Sequence, residues 1–169
     1  MSILLALSMV MGLSVPVFAA ENEPENIYLQ PIQVAENKWE YWDDEGNLVA
    51  TMEGLYELPM ELQKSRASTG PWVIDWSLAP GSARYDGREF DGNNTTLYID
   101  ISVDNRNPSY RGSYLHDANR FVWYTTPSTV GFPYTSFTVN TNSTFSFALR
   151  NDGATTTRYF GRYALKSFM

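Results

Sequence analysis

The sequence contains no cysteine and one histidine, His116, and each scarcity excludes a class of site. Without cysteine, disulfide scaffolds, catalytic thiols and Cys-based zinc sites are impossible. A single histidine likewise excludes a His-rich metal site. Basic residues are also scarce, since 12 Lys and Arg face 19 Asp and Glu for a net charge of −7. That balance argues against nucleic acid or an anionic membrane as the main partner, because both require a basic face.

The N-terminal segment is typical of an export signal. Ile3–Val15 form a continuous apolar run, Pro16 follows it, and small residues before position 20 suit cleavage after Ala19. An uncleaved anchor is the alternative, because twenty uncharged residues nearly span a bilayer. We therefore expect a secreted, extracellular protein with no membrane association after cleavage. The predicted organisation is a signal peptide over residues 1–19, a flexible acidic leader over residues 20–26 and one domain over residues 27–169.

The domain shows a hydrophobic period of two, as half-buried antiparallel strands do. In Thr96–Val103 the apolar residues occupy every second position, and Trp72–Leu78, Thr144–Arg150 and Arg158–Lys166 behave alike. Turn residues such as Asp-Gly and Asn-Pro separate these segments. The sequence therefore predicts an all-β fold, a single antiparallel β-sandwich of the jelly-roll or Ig-like class with about eight to ten strands. Further strand candidates are Ile27–Val34, Lys38–Trp42, Asn47–Met52, Phe121–Thr126 and Tyr134–Val139.

Helical signals are weak. Glu57–Arg66 and His116–Arg120 are each predicted to form at most a turn or two of helix, since Pro59 and the neighbouring strands limit them. Asp86-Gly87 and Asp91-Gly92 are predicted as turns.

The segment Lys38–Leu48 reads Lys-Trp-Glu-Tyr-Trp-Asp-Asp-Glu-Gly-Asn-Leu. It resembles one unit of the aromatic hairpin repeats of bacterial cell-wall-binding proteins, which read approximately Trp-x-Tyr-x-Asp-x-x-Gly-x-Leu. The resemblance implies a β-hairpin with an acidic turn. In that family the ligand cage is shared by consecutive repeats, and this chain has one unit, so the resemblance implies no choline-type site here.

Aromatic residues make up 15% of the chain and suggest glycan binding. A flat ring can stack on the apolar face of a sugar while nearby polar side chains bind its hydroxyls. Trp72 and Trp76 lie on the apolar side of their predicted strand, so we expect both to be buried in the core. Four aromatics occupy strand positions that are predicted to point outward with the polar residues. They are the predicted ligand-binding residues: Trp42, Tyr98, Tyr110 and Tyr114.

A weak calcium site is the one cofactor that the sequence suggests. Asp86, Asp91 and Asn93 lie in one turn-rich stretch and offer oxygen ligands of the kind calcium prefers. The spacing does not match an EF-hand loop, and the same residue types favour turns for backbone reasons. No other cofactor is expected.

Catalysis is not expected, because the sequence has no nucleophile motif and no long cleft-forming loops. The leading prediction is a secreted, non-catalytic binding or adhesion module that recognises extracellular or cell-surface glycans. A structural or protein–protein interaction domain of an extracellular assembly is the first alternative, since the arginines all follow an acidic N-terminal third. The second is a small secreted hydrolase using Asp75, which flanking tryptophans would desolvate, with another carboxylate.

Overall fold

The computed structural model describes residues 26–63, 70–103, 112–117, 121–127 and 133–166. The predicted signal peptide and the leader other than Asn26 lie outside these residues. Within them the chain forms twelve strands and one short helix. The strands are β1 (Ile27–Leu29), β2 (Ile32–Ala35), β3 (Lys38–Trp42), β4 (Leu48–Leu55), β5 (Trp72–Leu78), β6 (Ala83–Asp91), β7 (Thr95–Val103), β8 (Gly112–Asp117), β9 (Val122–Thr125), β10 (Tyr134–Val139), β11 (Thr144–Asn151) and β12 (Thr157–Leu165), and the helix is α1 (Met60–Gln63).

The strands form two sheets that pack face to face. The five-stranded sheet has the order β1-β9-β8-β11-β6, and the seven-stranded sheet has the order β2-β3-β4-β10-β7-β12-β5. The chain passes from one sheet to the other between β1 and β2, at Pro31, which has no N–H to donate to a ladder. The predicted all-β, sandwich-like architecture is confirmed.

Several details of the prediction are wrong. The described residues contain more strands than expected, and β1 pairs with β9 in parallel rather than antiparallel. The stretch predicted as turns around Asp86-Gly87 is the edge strand β6. Gly87, at φ +56, lies in a bulge where three residues of β6 face one residue of β11. His116 is in strand β8 rather than in a helical turn.

Aromatic rings fill the space between the sheets. Phe147 of the five-stranded sheet stacks on Tyr163 of the seven-stranded sheet, with ring centroids 4.1 Å apart and planes 17° apart. Nearby, Tyr41 contacts Tyr124 at 5.6 Å and Phe137 at 5.5 Å. Each such buried side chain contributes roughly 1.5–3 kcal/mol of hydrophobic stabilisation. The alternation predicted for the core strands is confirmed, because these rings point into the space between the sheets.

The predicted hairpin is present as β3 and β4. Asp43 accepts the Gly46 N–H through its backbone carbonyl at 3.0 Å, and its carboxylate accepts the N–H of Asn47 at 2.7 Å. Gly46 lies at φ +80, which a residue without a Cβ adopts easily. The hairpin orients Trp39 and Tyr41 into the core and Trp42 outward.

The outer face of the seven-stranded sheet is partly covered by α1, which packs on β7 and β12 and buries Leu62. Beyond α1 this face carries two ion pairs, Arg158 with Asp75 and Arg162 with Asp100. Within the described part of the chain, no helix has both the length and the apolar character needed to cross a bilayer.

We expect Gly161→Ala to lower the free energy of unfolding by roughly 2–6 kcal/mol, because backbone strain and steric displacement each cost roughly 1–3 kcal/mol. Gly161 lies at φ +147 in β12, and a Cβ atom there would overlap the carbonyl oxygen of Asp100 on β7. Gly46→Ala is the control: its Cβ position is open, and only the strain of about 1 kcal/mol applies. Urea unfolding followed by circular dichroism measures both variants, and equal losses would contradict this account of β12.

Candidate functional site

The predicted ligand-binding residues do not form one surface in the described structure. Trp42 and Tyr98 both lie on the outer face of the seven-stranded sheet, Trp42 exposed and Tyr98 half-buried. Tyr98 lies three strands from β3, level with Lys38, so Trp42 and Tyr98 are on the order of 20 Å apart. Tyr110 lies outside the described residues. Tyr114 lies in β8, but its side chain is outside them.

The predicted calcium ligands are held by contacts of their own. Asp86 forms an ion pair with Arg88, and the Asp91 carboxylate accepts the N–H of Asn93 at 3.3 Å. Among the residues that the structure describes, no three His, Cys, Asp or Glu side chains gather in a way that could hold a metal. The calcium site stays a prediction, and the cation beside Asp86 weakens the case for it.

Asp75, the carboxylate considered for hydrolysis, lies on the exposed outward side of β5. It accepts hydrogen bonds from two guanidinium nitrogens of Arg158, each at 2.7 Å. These hydrogen bonds lower the pKa of Asp75 from its usual value. The expected desolvation by flanking tryptophans is wrong, because Trp76 points into the core on the opposite side of the strand.

The outer face of the five-stranded sheet carries a group of ring side chains that we call the aromatic face. Its members are Tyr28 on β1, Tyr85 on β6, His116 on β8, Phe121 immediately before β9 and Trp123 on β9.

Strand register brings these rings together. Tyr28 is the register partner of Trp123, and Trp123 is the register partner of His116, so three neighbouring strands each place a ring at one level. Tyr85 reaches over β11 to contact His116 at 5.0 Å and Trp123 at 5.8 Å between ring centroids. Phe121 contacts His116 at 5.5 Å. The rings therefore form one continuous cluster.

The cluster has a buried layer and an exposed layer. His116 and Trp123 are buried although they point away from the core. Above them, Tyr28, Tyr85 and Phe121 remain 37%, 46% and 38% exposed. An apolar surface of this kind outside the core often marks a binding site.

Polar groups stand beside the exposed rings. The guanidinium of Arg150, on β11, lies 5.2 Å from the centre of the Tyr28 ring and donates a hydrogen bond to its hydroxyl. A second nitrogen of Arg150 donates to the Asp152 carboxylate at 2.7 Å. Burial raises the pKa of Tyr85, and Arg150 opposes that rise, so its hydroxyl also lies within electrostatic reach of the guanidinium. Hydrogen-bond donors and acceptors thus border the exposed rings.

Two features of the aromatic face are energetically costly. Neither ring nitrogen of buried His116 has a hydrogen-bond partner in the described structure, and burial lowers the pKa of His116, with Asp117 opposing that change. Phe121 adopts φ 52, a left-handed conformation that costs a bulky residue about 1–3 kcal/mol. Such costs concentrate at functional sites more often than elsewhere.

A second concave surface lies on the other sheet. A groove of about 770 Å³ opens between the end of β4 and α1, with Tyr98 among the side chains that line it. We call it the glutamate groove. Its acidic and large exposed lining residues are Glu53, Tyr56, Glu57, Met60 and Glu61.

Sequence reasoning missed the aromatic face. Tyr85 precedes an Asp-Gly pair that is typical of a turn, and the sequence predicts a helical turn rather than a strand at His116. The alternation of inward and outward positions along each strand is the one useful signal, and it correctly predicts that Arg150 points outward. It does not show which strands flank β11, and that strand pairing brings the rings together.

Comparisons with protein-family models, curated proteins and solved structures find no match to this chain. The chemistry of the surfaces themselves is therefore the basis for inferring function. Flat rings with adjacent hydroxyl, guanidinium and carboxylate groups can bind a ligand that has an apolar face and hydroxyls at its rim.

We expect the free energy of unfolding to fall as the pH drops from about 7 to about 5. Unfolded histidine binds a proton below about pH 6.5, whereas buried His116 stays neutral to lower pH. The unfolded state therefore gains the proton first, and stability falls by up to about 1.4 kcal/mol per pH unit. Urea titrations across this range measure the slope.

His116→Phe is the matched variant, since it removes the only histidine and places an apolar ring among rings. Its stability should be nearly constant over the same range, because carboxylates titrate mainly near pH 4. An unchanged slope in the variant would refute the assignment to His116.

Proposed function

We propose that this protein is a non-catalytic binding module that recognises glycans through the aromatic face. The observation that carries the proposal is the exposed layer of Tyr28, Tyr85 and Phe121 on one sheet face, with Arg150 hydrogen-bonded at its edge. Scattered surface aromatics need no explanation, but a continuous set supported by a buried ring layer does.

The face matches the two kinds of surface on a sugar ring. The C–H side of a pyranose packs on an aromatic ring, and its hydroxyls exchange hydrogen bonds with polar groups at the rim. Arg150 supplies donors, Asp152 supplies an acceptor, and the Tyr28 and Tyr85 hydroxyls can serve as either. The rings are supported from below by Trp123, whose indole N–H is fixed by a 3.2 Å hydrogen bond to Asn26.

The proposal keeps the wider expectations from the sequence. These are a signal peptide over residues 1–19, secretion, an extracellular or cell-surface glycan as ligand, and a jelly-roll or Ig-like class for the sandwich. The hydrolase alternative is less supported, because Asp75 is held ionised by Arg158 on an exposed face and a lowered pKa does not suit a general acid.

Association with an extracellular protein is the second candidate function, and the edge strand β5 favours it. Among the described strands its outer backbone edge has no partner, and Val73 is exposed on it. Its one charged side chain, Asp75, is neutralised by Arg158. A partner strand could add to such an edge, whereas the five charged residues of β6 discourage pairing at the other sheet.

A glycan array probed with the domain tests the leading proposal, followed by calorimetry on the best glycan. We expect Tyr85→Ala and Tyr28→Ala each to weaken binding roughly fivefold to tenfold, because loss of one stacked ring costs about 1 kcal/mol. Tyr56→Ala is the control, since Tyr56 is an exposed tyrosine that directly follows β4 of the other sheet.

The control should bind as the unmodified protein does. A flat response across the array would remove the proposal, and so would a glycan whose affinity falls in Tyr56→Ala but not in Tyr85→Ala.

A further inference from the structure

We propose that the glutamate groove binds an extended segment of a partner protein that carries two basic residues flanked by apolar ones. This goes beyond the proposed glycan function, because the groove lies on the opposite sheet from the aromatic face. The structure supports it through the charge, the apolar lining and the size of the groove.

Two carboxylates from different elements line the groove. Glu53 lies in β4, and Glu61 lies in α1, which packs on β7 and β12. Tyr98 of β7 also lines the groove, and its pKa is raised first by burial and then by the charges of Glu61 and Glu53. Both carboxylates therefore lie within electrostatic reach of one hydroxyl, and Glu57 adds a third negative charge to the lining.

Among the residues that the structure describes, no cation balances the negative charge of the groove. No Lys or Arg is among the described residues that line it. Lys38 is the register partner of Glu53 on β3, but no ion pair joins these two described residues. A cationic group entering the groove would meet carboxylates that are free to pair with it.

Two large, exposed side chains also line the groove. Tyr56 is 69% exposed and Met60 is 58% exposed, and both line the groove. Tyrosine and methionine are enriched at protein interfaces, where they bury large areas on association. They offer contacts for apolar residues on either side of a bound lysine or arginine.

The dimensions favour a peptide over a small cation. A volume of about 770 Å³ is within the roughly 300–1,000 Å³ typical of ligand clefts and far exceeds that of one ammonium group. A lining that combines carboxylates with large exposed side chains favours a basic, partly apolar chain over a neutral sugar. An extended segment could place one basic residue near Glu53 and the next near Glu61.

Fluorescence anisotropy with two labelled synthetic peptides tests the proposal. One is a short peptide in which lysines alternate with leucines, and the other has glutamate at each lysine position. We expect the lysine peptide to bind and the glutamate peptide not to bind. The double variant Glu53→Gln with Glu61→Gln should weaken binding about tenfold or more, and added salt should weaken it further.

The matched control is Glu36→Gln with Glu45→Gln, which removes the same charge from exposed positions outside the groove. Its affinity should change less than about twofold. Equal binding of the two peptides, no binding of the lysine peptide, or an equal loss in the control would overturn the proposal. So would a neutral oligosaccharide that binds here in place of the peptide. Tyr85→Ala should leave peptide binding unchanged, which separates this test from that of the aromatic face.

Discussion

The stacking of Phe147 on Tyr163 joins the two sheets, and the rest of the structure depends on packing of that kind. The contact is at 4.1 Å, and Trp76 and the cluster around Tyr41 extend it. These rings come from strands in which every second residue is apolar, so the same alternation that fills the core fixes which side chains point outward. Side-chain packing thus holds the two sheets together, and the outward side chains of each sheet are available for binding.

The outer faces of the two sheets carry different side chains. On the seven-stranded sheet, Arg158 and Arg162 pair with acids on adjacent strands, and α1 covers part of the surface. On the five-stranded sheet, His116 and Trp123 are buried outside the core beneath exposed tyrosines. An unsatisfied buried imidazole costs roughly 1–3 kcal/mol, and the backbone of Phe121 adds strain. The proposed binding role of this face would explain why both costs are found there.

The sequence predicts the fold better than the site, and the reason is physical. Alternation and turn residues are local, so they indicated most of the strands, the Lys38–Leu48 hairpin and the inward direction of Trp76. Strand pairing is not local: nothing near Tyr28 indicates that β1 pairs in parallel with β9, or that Tyr85 reaches His116 over β11. The exposed phase of Trp42 was predicted correctly, yet exposure alone did not show which rings lie together. The bulge at Gly87 likewise requires its partner strand, because the Asp-Gly pair by itself is typical of a turn.

The single histidine offers the most direct test of the aromatic face. Its imidazole Cε1–H gives one signal in a proton–carbon correlation spectrum, and the imidazole ring contacts the rings of Tyr85 and Phe121. Titration with the best glycan from an array should shift this signal in proportion to binding, because a sugar on the rings changes the ring currents around His116. A saturating glycan that leaves the histidine signal unmoved would contradict the claim that the aromatic face is where the ligand binds.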